Sequence, residues 1–171
     1  LLVSNNGGIS FAVAPLNGFG PGERLFSFAG GKQGSLLRFY CLTADSNDIY
    51  VGIPGSDYYG FMKGVYSLDA GSTTWVPRMN GISPGTDFPM YITAAVNDSS
   101  TVYLGGSNAS GVPTIMKSTN GGRQWSHVFL TSNNANVATG WSGSGGDRGW
   151  GYGECVFGLA VARNNSERVL F

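Results

Sequence analysis

Apolar runs along this chain alternate with short polar turns at regular intervals. Runs at 39–44, 91–96 and 156–162 each end in a polar turn, at 45–48, 97–100 and 164–167. After each turn the chain becomes apolar again, as Ile49-Tyr50-Val51-Gly52, Val102-Tyr103-Leu104-Gly105 and Val169-Leu170-Phe171. The runs are short and rich in β-branched and aromatic residues, which marks strands rather than helices. This reading places strands at 1–3 and 10–14, then at 38–44, 49–53, 64–67 and 74–78. It continues with 90–96, 101–105, 113–118 and 124–130, and ends with 155–162 and 168–171. The repeated strands start at 49, 102 and 169. A period of about 50 residues with four strand-like runs fits one propeller blade.

Composition sharpens this picture. Gly accounts for 28 of 171 residues and charged residues for 12%, while aromatics reach 13%. Few charges with many aromatics argue against disorder, and abundant Gly argues against helices. Ten basic residues balance ten acidic ones, with no basic stripe to suggest nucleic acid. No apolar run approaches the roughly 18 residues of a membrane span. Two cysteines and one histidine provide no ligand set for a structural zinc site, so neither metal nor cofactor is expected.

A second repeat lies in the turns. Ser4-Asn5-Asn6-Gly7-Gly8-Ile9-Ser10-Phe11 and Ser118-Thr119-Asn120-Gly121-Gly122-Arg123-Gln124-Trp125 share the pattern S-x-N-x-G-x-x-aromatic. Ser67-Leu68-Asp69-Ala70-Gly71-Ser72-Thr73-Thr74-Trp75 is the same with one extra residue before the tryptophan. A composition like this one supplies about 0.03 such segments by chance. The expected chemistry is that of a tight bend. Asn or Asp folds back onto backbone N–H groups, Gly takes a positive φ, and the aromatic starts the next strand and buries a large apolar face.

These segments resemble the Asp-box, or bacterial neuraminidase repeat. It marks the β-propellers of sialidases, xyloglucanase-like glycosidases, sortilin-like receptors and photosystem-assembly factors. Two of the three boxes carry Asn for Asp, which keeps the acceptor and loses the charge. The resemblance implies an all-β propeller of four-stranded antiparallel blades, with residues 1–171 forming part of a single domain, open at both ends: two full blades and two half blades. Ser4, Asn6, Gly8, Phe11, Ser67, Asp69, Gly71, Trp75, Ser118, Asn120, Gly122 and Trp125 are then structural. An extracellular or periplasmic location also follows from the resemblance.

In such blades the boxes and the first-to-second strand turns share one end, where the polar turn 45–48 is expected. The long connections, at 14–37, 54–63, 79–89, 106–112 and 131–154, share the other. Function tends to sit in long loops on a rigid scaffold. The candidate ligand contacts there are Asp57, Tyr58, Tyr59, Asp87, Trp141, Arg148, Trp150 and Tyr152, because aromatic faces stack on sugar rings and polar groups bond hydroxyls. Trp150 and Tyr152 are also suited to packing on a neighbouring blade. Asp147 and Glu154 are the candidate catalytic carboxyls, since most glycoside hydrolases need two across a cleft. His127, which alternates with Trp125 and Phe129, reads as a packing residue, and Cys41 and Cys155 as free thiols. The expected function is carbohydrate-directed, as a xyloglucanase-like or sialidase-like glycoside hydrolase acting on a glycan or polysaccharide. The alternative is a non-catalytic propeller that binds a ligand or protein partner.

Overall fold

The computed structural model describes residues 1–14, 16–45, 62–109, 113–130, 156 and 158–171. These residues form strands and turns without a helix, so none of them belongs to a helix long and apolar enough to cross a membrane. Twelve strands run in chain order: β1 (Leu2–Val3), β2 (Ala12–Val13), β3 (Glu23–Gln33), β4 (Leu36–Asp45), β5 (Met62–Asp69), β6 (Val76–Pro77), β7 (Asp87–Ala95), β8 (Asp98–Asn108), β9 (Pro113–Ser118), β10 (Ser126–Leu130), β11 (Ala160–Ala162) and β12 (Asn165–Leu170). They pair as two four-stranded antiparallel sheets, β3-β4-β5-β6 and β7-β8-β9-β10, and two ribbons, β1-β2 and β11-β12.

The first full sheet departs from the expected strand order. Residues 14–37 were expected as a connection, yet they contain β3, the edge strand of that sheet. The run 38–44 lies in the second strand, β4, which pairs directly with β5 from Arg38↔Asp69 to Ala44↔Met62. The direction of 38–44 reverses as a result. Asp45, the last residue of β4, sits at the end opposite the boxes. The expected strand 49–53 lies outside the described residues.

The reason β3 escapes an apolar-run search is physical. Its inward positions are Leu25, Ser27, Ala29 and Gly31, while Phe26 and Phe28 are exposed. Small residues are required because β3 lies against β7 of the next sheet. A Cβ on Gly31 would come 2.5 Å from Ala95 O. The Ile92 N–H donates to Ser27 Oγ (3.3 Å), and Lys32 N–H donates to Val96 O (2.9 Å).

Between the two sheets lies the main core: Tyr40 and Leu42, Met62 and Val65, Ile82, Ile92 and Ala94, Val102 and Leu104, Met116 and Trp125. On the far face of the second sheet, Tyr103, Ile115 and Val156 pack with Phe129, Leu159, Val161 and Val169, joining it to the β11-β12 ribbon. Tyr103 Oη donates to Ser166 O (2.7 Å) across the same junction.

The entry to each full sheet repeats in detail. Leu16-Asn17-Gly18-Phe19-Gly20-Pro21-Gly22 precedes β3, and Met79-Asn80-Gly81-Ile82-Ser83-Pro84-Gly85 precedes β7. Asn17 O accepts the Trp75 N–H (2.9 Å) and Asn80 O accepts the Trp125 N–H (3.0 Å). Each entry segment thus holds the box tryptophan of the sheet it leads into.

Candidate functional site

The two ends of the sheets differ in chemistry. The boxes at 67–75 and 118–125 sit with the β3–β4, β7–β8 and β11–β12 turns, where Ser100 Oγ donates to Gln33 Oε1 (3.3 Å) and Asn97 Nδ2 donates to Arg163 O (2.9 Å). In the last box Ser118 Oγ donates to Asn120 Oδ1 (2.9 Å) and accepts the Gly122 N–H (2.9 Å). Asn120 Oδ1 also accepts the Gln124 N–H (2.9 Å). The first box repeats this set with Ser4 Oγ to Asn6 Oδ1 (2.9 Å), Gly8 N–H to Ser4 Oγ (2.8 Å) and Ser10 N–H to Asn6 Oδ1 (3.0 Å). Gly8 and Gly122 have φ of 90° and 79°, the left-handed values that favour glycine. Trp75 and Trp125 are buried, as expected of box aromatics, but Phe11 is exposed.

The middle box corrects the expected role of its acid. Asp69 does not close its own bend. Its carboxylate takes both Nε and Nη2 of the buried Arg38. Ser67 Oγ instead accepts Arg78 Nε (2.8 Å). The Arg38 guanidinium holds the Asp69 carboxyl below the usual carboxylate range, and Asp69 in turn raises the pKa of Arg38.

The opposite rim is where β3 and β7 begin and β4 and β8 end. There the register sets Glu23 against Asp45 and Asp87 against Asn108. Directly opposed residues on antiparallel strands share a face, with Cβ atoms about 4.5–5.5 Å apart. The register therefore sets Glu23 and Asp45 opposite each other where β4 ends, with the Glu23 carboxylate turned toward Thr43 and Tyr66. Glu23 Oε2 accepts the Thr43 hydroxyl (2.6 Å). Burial, reinforced by the Glu23 carboxylate, pushes the Tyr66 phenol up to about 12. Tyr66 is thus a neutral hydrogen-bonding group across the physiological range.

Asp87 lies in β7, not in a connection, and is buried. Its Oδ2 accepts the Ser83 N–H (2.8 Å) and its Oδ1 bonds His127 Nε2 (2.9 Å). In this geometry the carboxylate holds the 83–87 turn and links β7 to the outermost strand of its sheet. His127 is accordingly a polar partner of Asp87 rather than a packing residue. Cys41 is a buried free thiol, whose pKa burial pushes up, so it is a poor nucleophile.

Asp57, Tyr58, Tyr59, Trp141, Asp147, Arg148, Trp150, Tyr152, Glu154 and Cys155 lie outside the described residues. The strand ends that bound their segments are on this same rim: Asp45 and Met62 for the first, Leu130 for the second. Val156, which follows the second, donates its N–H to Gly106 O near the end of β8 (3.0 Å). Glu23, Thr43, Asp45 and Tyr66 were not anticipated as rim residues. The repeated N-G-x-x-P-G entry segment could have found the first, because Glu23 directly follows it and Asp87 follows its counterpart one residue later. Among the described residues no group of three His, Cys, Asp or Glu side chains is placed to hold a metal ion. No family model, characterised protein or solved structure matches this chain.

Proposed function

We propose that this chain belongs to an Asp-box β-propeller whose blades are the sheets described above, and that it engages glycans at the rim opposite the boxes. The observation that carries this reading is the contrast between the two ends. Apart from its arginines, the box end is filled by hydrogen bonds that close turns, whereas the other rim sets Glu23 opposite Asp45 beside the strand ends that bound both aromatic-rich segments. Carboxylates that accept sugar hydroxyls beside aromatic side chains that stack on sugar C–H faces form the chemistry of a carbohydrate cleft. Glycoside hydrolysis of the xyloglucanase-like or sialidase-like type is the catalytic form of this function, with Asp147 and Glu154 as its carboxyls, in an extracellular or periplasmic setting.

A glycan array combined with a glycosidase screen on the full chain tests the proposal. Glycan binding that Glu23→Gln weakens supports the rim as the site. Hydrolysis lost in Asp147→Asn or Glu154→Gln, with binding retained, supports catalysis. The second reading, a propeller that binds without reacting, is favoured by Asp87, because its buried carboxylate is already committed to Ser83 and His127. Glycan binding without turnover supports that reading, and the absence of any glycan signal moves the function to a protein partner.

A further inference from the structure

Two arginines of the first full sheet meet the last box, and a third lies within that box. Arg38 comes from β4, Arg78 follows β6, and Arg123 lies in the Gly121-Gly122-Arg123 turn of the last box. Glycine at 121 leaves room for Arg38, since a Cβ there would collide with Arg38 Nη1. Glycine at 122 receives Arg78, whose Cβ and Cγ would be 3.3 Å from an added Cβ. The two glycines of one bend therefore seat two arginines of the neighbouring sheet, with the third arginine next in the chain.

The charge of this group is unbalanced. Asp69 is bonded to Arg38, and among the described residues no other carboxylate forms an ion pair with these arginines. Arg78 uses Nε on Ser67 Oγ, while its Nη1 and Nη2 make no hydrogen bond among the described residues. The Arg123 guanidinium likewise makes none there, and Arg123 is exposed. Burial and the neighbouring Arg123 and Arg38 charges lower the pKa of Arg78, as expected where like charges meet without enough counter-charge. Three guanidinium groups against one carboxylate leave a surplus of two positive charges. The unpaired N–H groups have the planar fork that binds oxyanions.

We propose that Arg78 and Arg123, backed by the Arg38–Asp69 pair, form a binding site for a doubly charged tetrahedral oxyanion: sulfate or phosphate, free or as the ester group of a small molecule. The site is at the box end and is independent of the glycan rim. An anion there would bridge a loop of one sheet to the box of the next and tie the two sheets together.

Isothermal titration of the full chain with sodium sulfate, sodium phosphate and a monosaccharide sulfate ester, each at matched ionic strength against sodium chloride, tests the site. Saturable binding of at least one is expected. Arg123→Gln, which alters an exposed side chain and leaves the fold intact, should weaken it roughly tenfold, the scale of a lost charge-assisted hydrogen bond. Arg24→Gln, an exposed arginine outside the group, should leave it within about twofold. Preference for the ester over both inorganic ions identifies a sulfated ligand, and equal affinity identifies the free ion. Absence of saturable binding, or equal binding by the wild-type and Arg123→Gln proteins, would overturn the proposal.

Discussion

The boxes at 67–75 and 118–125 have nearly the same residues and spend their hydrogen bonds differently. In the second, serine and asparagine bond each other and the N–H groups of their own turn. In the first, one additional residue precedes the tryptophan, and the bend closes through Ser72 N–H to Asp69 O (2.9 Å). The Asp69 side chain is then directed outward to Arg38. The tryptophan end is unchanged, because both indoles are buried and both backbone N–H groups go to an asparagine carbonyl of the entry segment. The conserved element of the box is therefore the seating of its aromatic ring. Its polar start can be diverted to another strand when the loop length changes.

The largest effect should come from the rings. Trp125 lies in the core between the sheets, and its Nε1–H donates to Arg78 O (2.9 Å). Trp75 lies in a smaller group with Cys41 and Tyr66, its ring 5.5 Å from that of Phe19, and its Nε1–H has no acceptor among the described residues. Trp125→Ala should cost about 3–5 kcal/mol, the usual range for removing a buried tryptophan. Trp75→Ala should cost about 1 kcal/mol less, because no indole hydrogen bond is lost with it. Urea denaturation of the two variants measures the difference. A larger loss at Trp75 would mean that the core between the sheets is not the dominant one.

The diverted acid comes next. Asp69→Asn leaves the Arg38 guanidinium buried without its counter-charge. The cost should be about 1–3 kcal/mol, below that of breaking a fully buried pair, because Asp69 is 44% exposed and solvent screens the attraction. Arg38 lowers the folded-state pKa of Asp69, so the contribution of the carboxylate is complete above its unfolded value, about 3.9. It is lost as pH falls through the lower folded value. Denaturation midpoints recorded from pH 7 down to pH 2 should fall more steeply for the wild-type protein than for Asp69→Asn. Parallel curves would show that the pair contributes nothing.

The box pattern was legible because it depends on local turn chemistry. Ser, Asn and Gly at fixed spacing produce the same bend at 4–11 and at 118–125. The second sheet was also legible, since β7 to β10 follow apolar runs between clear turns. The first sheet was not, and the cause is β3. A strand pressed against a neighbouring backbone must be lined with small residues, so Ser27, Ala29 and Gly31 resemble a loop in any apolar count. Missing that strand reversed β4 and hid the Glu23–Asp45 pair, whose members are distant in sequence and meet only through register. The Arg38–Asp69 pair was hidden for the same reason. The fate of Asp87 was equally invisible, since its partner His127 is 40 residues away and the contact depends on how two strands of one sheet are placed.

A smaller change tests whether the charge itself matters in a box that closes on itself. Asn120→Asp preserves the acceptor for the Gln124 N–H and should shift stability by no more than about 0.5 kcal/mol. Asn120→Ala removes that acceptor and the Ser118 hydroxyl contact, and should cost about 1 kcal/mol, a typical net hydrogen bond. If Asn120→Asp instead proves as costly as Asn120→Ala, the carboxylate has been drawn away toward Arg78 and Arg123, as Asp69 is drawn toward Arg38, and box closure depends on asparagine's neutrality.

The smallest effect is expected at the first box. Its bonds match those of 118–125, but Ser4, Gly8 and Ser10 are less buried than Ser118 and Gly122, and Phe11 is 62% exposed. When Asn6→Ala removes the acceptor, water can replace it at the Ser10 N–H, so the loss should be only about 0.3 kcal/mol. Hydrogen exchange separates geometry from burial most directly. The Gln124 N–H should exchange far more slowly than the Ser10 N–H, although both donate to an asparagine Oδ1 at nearly the same distance, 2.9 and 3.0 Å. Protection follows the free energy of opening, which depends on how much packed surface must separate. Equal protection at the two amides would mean that the bend is stable by its own hydrogen bonds, and that the buried tryptophan beneath 118–125 adds nothing to it.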